Sequence, residues 1–153
     1  MNIIVFGGTG FFGKAFISEL KKYKQININT IVRKHSDRNL AEKYFLYEDI
    51  DALLDNNKTF DLAIDFASHV SVDDFLEDPQ EAFLDNLKIP INNIKFLNNL
   101  SFAGNYIYVS TDRAILDIGN ADSLVNVKIS NDPYGASKLV SEIIVRYCSS
   151  LRE

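Results

Sequence analysis

The segment FGGTGFFG, residues 6–13, is the strongest indication of fold in this sequence. It overlaps the end of NIIVFG, residues 2–7, which is typical of a buried strand, and it leads into GFFGKAFISELKKY, residues 10–23, which has helical spacing. Its glycines allow a tight turn in which the backbone approaches a pyrophosphate closely and the first helical N–H groups face the anion. Glycine suits any sharp turn, but this strand–turn–helix context favours dinucleotide binding.

Short β-branched runs alternate with helical segments along the rest of the chain. This alternation predicts an α/β protein with a Rossmann-type, doubly wound parallel sheet of about five strands and helices on both faces. Residues 112–131 show neither period and are predicted as a long loop. The further predicted strands are residues 27–34, 43–49, 60–68 and 105–110, and the further helices are residues 49–57, 79–100 and the segment from Pro133 onward.

Apolar residues at helical spacing predict the buried faces of the first and last helices. Asp132 and Pro133 are predicted as the N-cap and the first residue of the last helix. The predicted faces are Phe12, Ala15, Phe16, Leu20 and Tyr23 in the first helix, and Leu139, Val140, Ile143, Ile144 and Tyr147 in the last.

Length and composition predict a single dinucleotide-binding domain, residues 1–153, because 153 residues with 46% apolar content suit one globular core. A net charge of −5 supplies no basic stripe, so nucleic acid is not an expected partner. The lone Cys148 and only two histidines predict neither a disulfide framework nor a metal site. No apolar run approaches the ~20 residues that span a membrane, so we expect a soluble, cytoplasmic protein.

Arg33, at the end of the second predicted strand, lies where dinucleotide-binding proteins specific for NAD carry an acidic residue. A guanidinium can pair with a 2′-phosphate, which favours NADP. The alternative is a solvated arginine, with Asp37 holding the ribose of NAD. Asp49 and Ile50, after the third predicted strand, are candidates to flank the adenine.

The segment DPYGASKL, residues 132–139, places Tyr134 and Lys138 one turn apart on the last helix. An ammonium group near a tyrosine favours the phenolate, which can exchange a proton with a hydroxyl or carbonyl. Such a pair is also common on exposed helices. The segment VSTD, residues 109–112, ends the fifth predicted strand at the sheet edge where ligands bind, and this context favours an active site.

In this order, FGGTGFFG, VSTD and Tyr-x-x-x-Lys resemble the extended short-chain dehydrogenase/reductase family, most closely its nucleotide-sugar epimerases, dehydratases and reductases. DLAIDFAS, residues 61–68, is similar to that family's fourth-strand motif, and DNLKIPINNIKFL, residues 85–97, to its helix with an active-site asparagine. The resemblance implies hydride transfer at a carbon of a nucleotide-diphosphate sugar, with NADP, or alternatively NAD, as the cofactor.

The resemblance also implies the roles of individual residues. Tyr134 would be the acid/base, Lys138 would hold the nicotinamide ribose and favour the tyrosinate, Thr111 would hydrogen-bond the reacting oxygen, and Asn86 would support the site. The cofactor-binding residues implied are Gly7, Gly10, Phe11, Phe12, Gly13, Arg33, Asp49, Ile50, Phe66, Ala67, Ser68 and Lys138.

The sequence departs from the family pattern at two places, and the second of them narrows the expected activity. Asp65 stands where many members have histidine, and Asp112 is followed by Arg113 where one dehydratase group has an acidic pair. The sequence therefore favours a keto-reductase or epimerase over a dehydratase, with a non-catalytic dinucleotide-binding module, a sensor or scaffold, as the alternative from another class.

The family's C-terminal substrate lobe does not follow the last helix, so we expect an incomplete chain that binds cofactor but turns over poorly. The fifth strand is expected to form an open edge of the sheet, which favours edge pairing. The resemblance implies a homodimer through the helices that begin near Pro79 and Pro133.

Overall fold

A computed structural model of the protein describes residues 1–33, 44–54, 59–114, 116–118, 127–129 and 132–150. The strands are β1 (Asn2–Phe6), β2 (Asn27–Val32), β3 (Tyr44–Leu46), β4 (Leu62–Asp65), β5 (Asn105–Tyr108), β6 (Leu116–Ile118) and β7 (Val127–Ile129). The α-helices are α1 (Phe11–Leu20), α2 (Ile50–Leu54), α3 (Val72–Glu77), α4 (Pro79–Asn99) and α5 (Pro133–Ser150), and a 3₁₀ helix spans Tyr47–Asp49.

The main sheet has the strand order β3-β2-β1-β4-β5, and all of its pairs are parallel. At its carboxyl end, Phe6 of β1 lies beside Ile31 of β2 and Asp65 of β4. The order reverses at β1, and the glycine segment follows that strand directly, at the switch point where ligands bind in such sheets. The predicted fold class is confirmed, and β5 lies at the sheet edge as expected.

Both faces of the sheet are covered, which explains why β1 is apolar at successive positions. On one face, Ile3 and Val5 pack with Ile17 of α1. On the other face, a larger cluster joins the sheet to α2 and to the C-terminal part of α4. Its buried members are Ile4, Phe6, Ile31, Leu53, Phe60, Ala63, Phe96, Leu97 and Phe102.

The chain divides into two compact units. Unit 1 comprises residues 1–67 and 92–109 and contains the parallel sheet with α1 and α2. Unit 2 comprises residues 68–91 and 110–153 and contains α3, β6, β7 and α5. Helix α4 supplies residues to both units and continues through Pro90. No helix in the described part of the chain is long and apolar enough to cross a membrane.

The predicted loop at residues 112–131 is wrong in part, because β6 and β7 form an antiparallel pair within it, with Leu116 opposite Ile129 and Ile118 opposite Val127. Each strand has three residues, too few for an alternating pattern to stand out in the sequence. Residues 115, 119–126, 130 and 131 lie outside the described ranges.

The predicted apolar faces of α1 and α5 are also partly wrong. Of the predicted α1 face, Phe12 and Ala15 are exposed, as is Tyr23 beyond the end of the helix. Phe16 and Leu20 do pack against the core, together with the buried Gly13 and Ile17. In α5, Ile143 and Tyr147 are exposed, whereas the fully buried side chains of the helix are polar. These are Ser137, Lys138 and Ser141.

Candidate functional site

The glycine turn of unit 1 depends on direct contact between backbones. Gly7 has φ of +70°, which strongly favours glycine, and a Cβ atom there would lie 2.6 Å from the backbone nitrogen of Ala67. A Cβ atom on Gly13 would overlap the carbonyl oxygen of Gly7 and lie 2.7 Å from the Cα atom of Gly8. The turn closes with a hydrogen bond from Gly10 N–H to the Gly7 carbonyl at 3.0 Å. Glycine at positions 7 and 13 is therefore required by packing.

Gly10 is different, because it is exposed and serves as the N-cap of α1. A Cβ atom there would meet only the Gly7 carbonyl oxygen, at 3.3 Å, so the fold itself tolerates a side chain at this position. Phe11 and Phe12 are 84% and 70% exposed and pack edge to face, with ring centroids 5.4 Å apart. An exposed glycine at a helix N-terminus leaves room for a pyrophosphate to reach the first N–H groups, so the turn fits a dinucleotide.

A buried carboxylate lies at the end of β4, in unit 1. Asp65 has no exposed surface and accepts hydrogen bonds from Ala67 N–H at 2.8 Å, Asn93 Nδ2 at 2.6 Å and the Tyr106 hydroxyl at 2.6 Å. The Asn93 Oδ1 atom accepts in turn from the Tyr47 hydroxyl. All three groups around Asp65 donate, so the arrangement stabilises the ionised carboxylate.

The two tyrosines of this network keep their protons. Burial, followed by the charge of Asp65, raises the pKa of the Tyr106 hydroxyl well above its ordinary value. The same two causes raise the pKa of Tyr47, against a smaller opposing effect of Arg33. Both hydroxyls therefore remain donors throughout the physiological pH range.

In unit 2, the first turn of α5 is held by a hydrogen bond to Asp132 and by close packing on the backbone of Arg113. The Asp132 carboxylate accepts from Tyr134 N–H at 3.2 Å, which confirms the predicted N-cap, and it forms an ion pair with Arg113 at 3.2 Å. A Cβ atom on Gly135 would overlap the carbonyl oxygen of Arg113, so α5 packs directly on that backbone. Lys138, one turn after Tyr134, is only 2% exposed.

Phe75 of α3 packs against the ring of Tyr134. The two rings meet edge to face, with centroids 5.9 Å apart, and His69 contacts the same phenylalanine at 6.0 Å. His69 Nε2 lies 2.5 Å from a carboxylate oxygen of Asp74. These contacts limit the orientations open to the tyrosine ring.

Both polar atoms of the Asn86 side-chain amide, on α4, form hydrogen bonds within unit 2. Its Oδ1 atom accepts from His69 N–H at 2.6 Å and from the Ser68 hydroxyl at 3.1 Å. Its Nδ2 atom donates to the His69 carbonyl at 3.0 Å and to Ser137 Oγ at 2.9 Å. The Ser141 hydroxyl donates to the Asn86 carbonyl at 2.9 Å. Asn86 therefore joins the segment after β4 to the buried polar face of α5.

The hydroxyls of the VSTD segment differ in their surroundings. Thr111 Oγ1 donates to Asp112 at 3.2 Å and accepts from Arg113 N–H at 3.3 Å. The Oγ atom of Ser110 is buried and has no hydrogen-bond partner among the residues that the structure describes. Burial of such a group without a partner is costly, and a bound ligand is one group that can satisfy it.

The structure places the predicted site residues in two sets. Unit 1 contains the glycine turn, Arg33 and Asp49. Arg33 is exposed and directly follows β2, and the Asp49 carboxylate accepts from Leu46 N–H at 2.9 Å. Unit 2 brings Tyr134, Lys138, Thr111, Asn86 and Ser68 together in the same compact unit. Asp37, the alternative residue predicted to hold the ribose, lies outside the described residues.

The sequence reasoning missed the hydrogen-bonding partners of Asp65, which are Asn93 and Tyr106, and the contact of Phe75 with Tyr134. The sequence contained one signal for the partners of Asp65, because an acidic residue inside the apolar run of β4 needs hydrogen-bond donors when it is buried. Within the described ranges, no group of three or more His, Cys, Asp or Glu side chains is placed to hold a metal ion.

Comparison with known proteins gives consistent matches. The chain is 26% identical over 162 residues to UDP-glucose 4-epimerase of Mycoplasma pneumoniae, covering 95% of this chain and 47% of that protein. UDP-N-acetylglucosamine 4-epimerase of Bacillus cereus superposes with a TM-score of 0.70 at 23% identity, over 98% of this chain and 55% of the other. UDP-glucose 4-epimerase of Bifidobacterium longum, solved with NAD+ and UDP, gives 0.68 at 19% identity, over 99% and 50%.

The chain thus spans about half the length of the curated relative that it matches. The model of the NAD dependent epimerase/dehydratase family matches residues 3–151, almost the whole sequence. On this match, the chain belongs to the NAD dependent epimerase/dehydratase family.

Proposed function

We propose that this chain supplies the cofactor-binding and acid–base parts of an epimerase or keto-reductase that acts on a nucleotide-diphosphate sugar. The observation that carries the proposal is the pair on α5, where Tyr134 is held by a cap and an aromatic contact and Lys138 follows one turn later with 2% exposure. Burial of an ammonium group is costly unless it is paired or hydrogen-bonded, so a buried lysine beside the proposed acid–base residue is a specific feature of the fold. Family membership and the named activities of the relatives support the same reading.

The proposed chemistry assigns one task to each residue. When bound, the nicotinamide accepts or returns a hydride at a sugar carbon. The Tyr134 phenolate removes the proton from the hydroxyl on that carbon and returns it when the carbonyl is reduced. Thr111 donates to the reacting oxygen. Asn86 supports the site through its four hydrogen bonds rather than by touching substrate.

We propose that the cofactor is held mainly by unit 1. The turn offers close backbone approach at an exposed glycine and the N–H groups that begin α1. Asp49 and Ile50 are proposed to flank the adenine, and Lys138 to hold the nicotinamide ribose. The other proposed cofactor contacts are Gly7, Gly10, Phe11, Phe12, Gly13, Arg33, Phe66, Ala67 and Ser68.

Arg33 is proposed to read the 2′-phosphate of NADP. In calorimetric titrations we expect Arg33→Ala to weaken NADPH binding by about 10- to 100-fold, since a hydrogen bond to a charged group contributes ~1.5–3 kcal/mol. NADH binding should stay within about twofold of wild type. The control Lys24→Ala removes an exposed cation elsewhere in unit 1. If the wild type binds NADH more tightly than NADPH, the NADP assignment is wrong. If the folded chain binds neither cofactor, the proposed function is wrong.

The proposed substrate is a UDP-sugar, because the names of the relatives concern UDP-glucose and UDP-N-acetylglucosamine. A negative net charge of −5 does not oppose this, since small anions are bound by local backbone donors. We do not expect nucleic acid as a partner, for want of a basic stripe.

We also propose a homodimer through α4 and α5. Leu84 of α4 and Ile143 and Tyr147 of α5 are 50%, 57% and 64% exposed, although all three are large apolar side chains. In sedimentation velocity, Ile143→Arg should shift the wild-type dimer toward monomer, whereas Lys24→Glu should not. A wild-type chain that sediments as a monomer at high concentration would contradict the dimer.

A further inference from the structure

Asp65 is fully buried at the end of β4, and its carboxylate fixes the conformation of the backbone that follows the strand. Its Oδ1 atom accepts from Ala67 N–H at 2.8 Å, two residues later in the chain. Its Oδ2 atom accepts from both Asn93 and Tyr106 at 2.6 Å. The first bond bends the chain immediately after the strand, as aspartate commonly does at turns, and the other two fix the carboxylate from the sides.

The segment held in this way touches the glycine turn. A Cβ atom on Gly7 would lie 2.6 Å from the nitrogen of Ala67 and 2.7 Å from the carbonyl carbon of Phe66. Phe66 N–H also donates to the Phe6 carbonyl at 3.0 Å, and its ring packs on Phe16 of α1 at 5.2 Å. The Phe66–Ala67 peptide and Gly7 therefore cannot move independently.

The same network extends toward the opposite edge of the sheet. Asn93 donates to Asp65 and accepts from the hydroxyl of Tyr47, which lies in the 3₁₀ helix after β3. The charge of Arg33, at the end of β2, acts on that tyrosine. One buried carboxylate thus links the ends of β4 and β3, two of the segments that flank the proposed cofactor site.

From these contacts we propose that Asp65 is a positioning residue for the cofactor. Its ionised carboxylate holds the Phe66–Ala67 peptide against Gly7 in the conformation in which the turn accepts the pyrophosphate. This inference rests on the proposed function and adds to it a residue that touches neither cofactor nor substrate. The role needs the acceptor capacity of a carboxylate, since the amino group of an asparagine at this position would only donate and would face a group that also donates.

The test is calorimetric titration of wild type and Asp65→Asn with NAD and with ADP-ribose, at a temperature where urea unfolding shows both proteins to be folded. We expect the affinity of Asp65→Asn for both ligands to fall by the same factor, about tenfold or more. ADP-ribose is included because it keeps the pyrophosphate and lacks the nicotinamide. The matched control is Asp61→Asn, directly before β4, where the carboxylate accepts from Asn2 N–H at 2.7 Å. That variant should bind both ligands as wild type does.

The possible outcomes separate the two proposals. If Asp65→Asn is less stable but binds NAD as tightly as wild type, Asp65 is structural only and the inference is overturned while the proposed function stands. A folded wild type that binds neither NAD nor NADP overturns both. Should Asp65→Asn fail to fold, amide NMR of the wild type decides. The resonances of Gly7 and Ala67 must shift on saturation with NAD, and unchanged resonances overturn the role of Asp65.

Discussion

Replacement of Tyr134 by Phe in the active protein is expected to lower kcat for a UDP-sugar by about 10²–10⁴-fold, the usual contribution of a general acid–base group. The substitution removes one hydroxyl and leaves the ring that packs on Phe75, so α5 and its cap should be unaffected. Steady-state kinetics would measure the loss, and calorimetry should show cofactor affinity within about twofold of wild type.

The matched control for this variant is Tyr147→Phe, which removes a phenol hydroxyl from the same helix at a position that is 64% exposed. Its kcat should equal that of the wild type. Turnover that survives in Tyr134→Phe would contradict the acid–base assignment. Such a result would favour the alternative of a dinucleotide-binding module that does not use α5 for catalysis.

The second large effect is expected from Gly13→Ala. The added methyl overlaps the Gly7 carbonyl oxygen and lies 2.7 Å from the Gly8 Cα atom, and both neighbours are backbone. Overpacking of this kind costs about 1–3 kcal/mol in the free energy of unfolding, and the distorted turn should lose cofactor binding as well. Urea unfolding and NAD titration would measure the two effects separately.

Gly10→Ala is the control for this substitution, because it adds the same methyl group to the same turn at an exposed position. Its stability should be close to that of the wild type, while its NAD affinity should fall, since the methyl occupies space that the pyrophosphate needs. Equal stability of Gly13→Ala and wild type would show that the turn can relax, against the expectation from the backbone contacts.

The fold was predictable because its strongest signals are local. β1 is a run of apolar residues, the turn after it is rich in glycine, and Pro133 marks the start of α5. Each of these signals lies within one segment, so a short window of sequence contains the whole of it. The candidate site residues at the turn and on α5 were predicted from equally local patterns, and their roles stay predictions.

The side chains that contact each other across long sequence separations were not predictable in this way. Periodicity places large apolar residues inward, yet the buried side of α5 is occupied by Ser137 and Ser141, whose hydroxyls find oxygen acceptors. In α1 the buried face centres on Gly13 and Ile17, because a residue without a side chain allows the closest approach. The partners of Asp65 lie 28 and 41 residues away along the chain.

The backbone contacts of Gly7 carry a genetic consequence. Where two side chains collide, a second mutation can shorten one of them and restore the fit. Here Gly13 meets the backbone of Gly7, and Gly7 meets the backbone of Ala67, so no side chain in either contact can be trimmed. A suppressor of a substitution at these glycines must shift a strand or a helix, and second-site revertants should accordingly be rare.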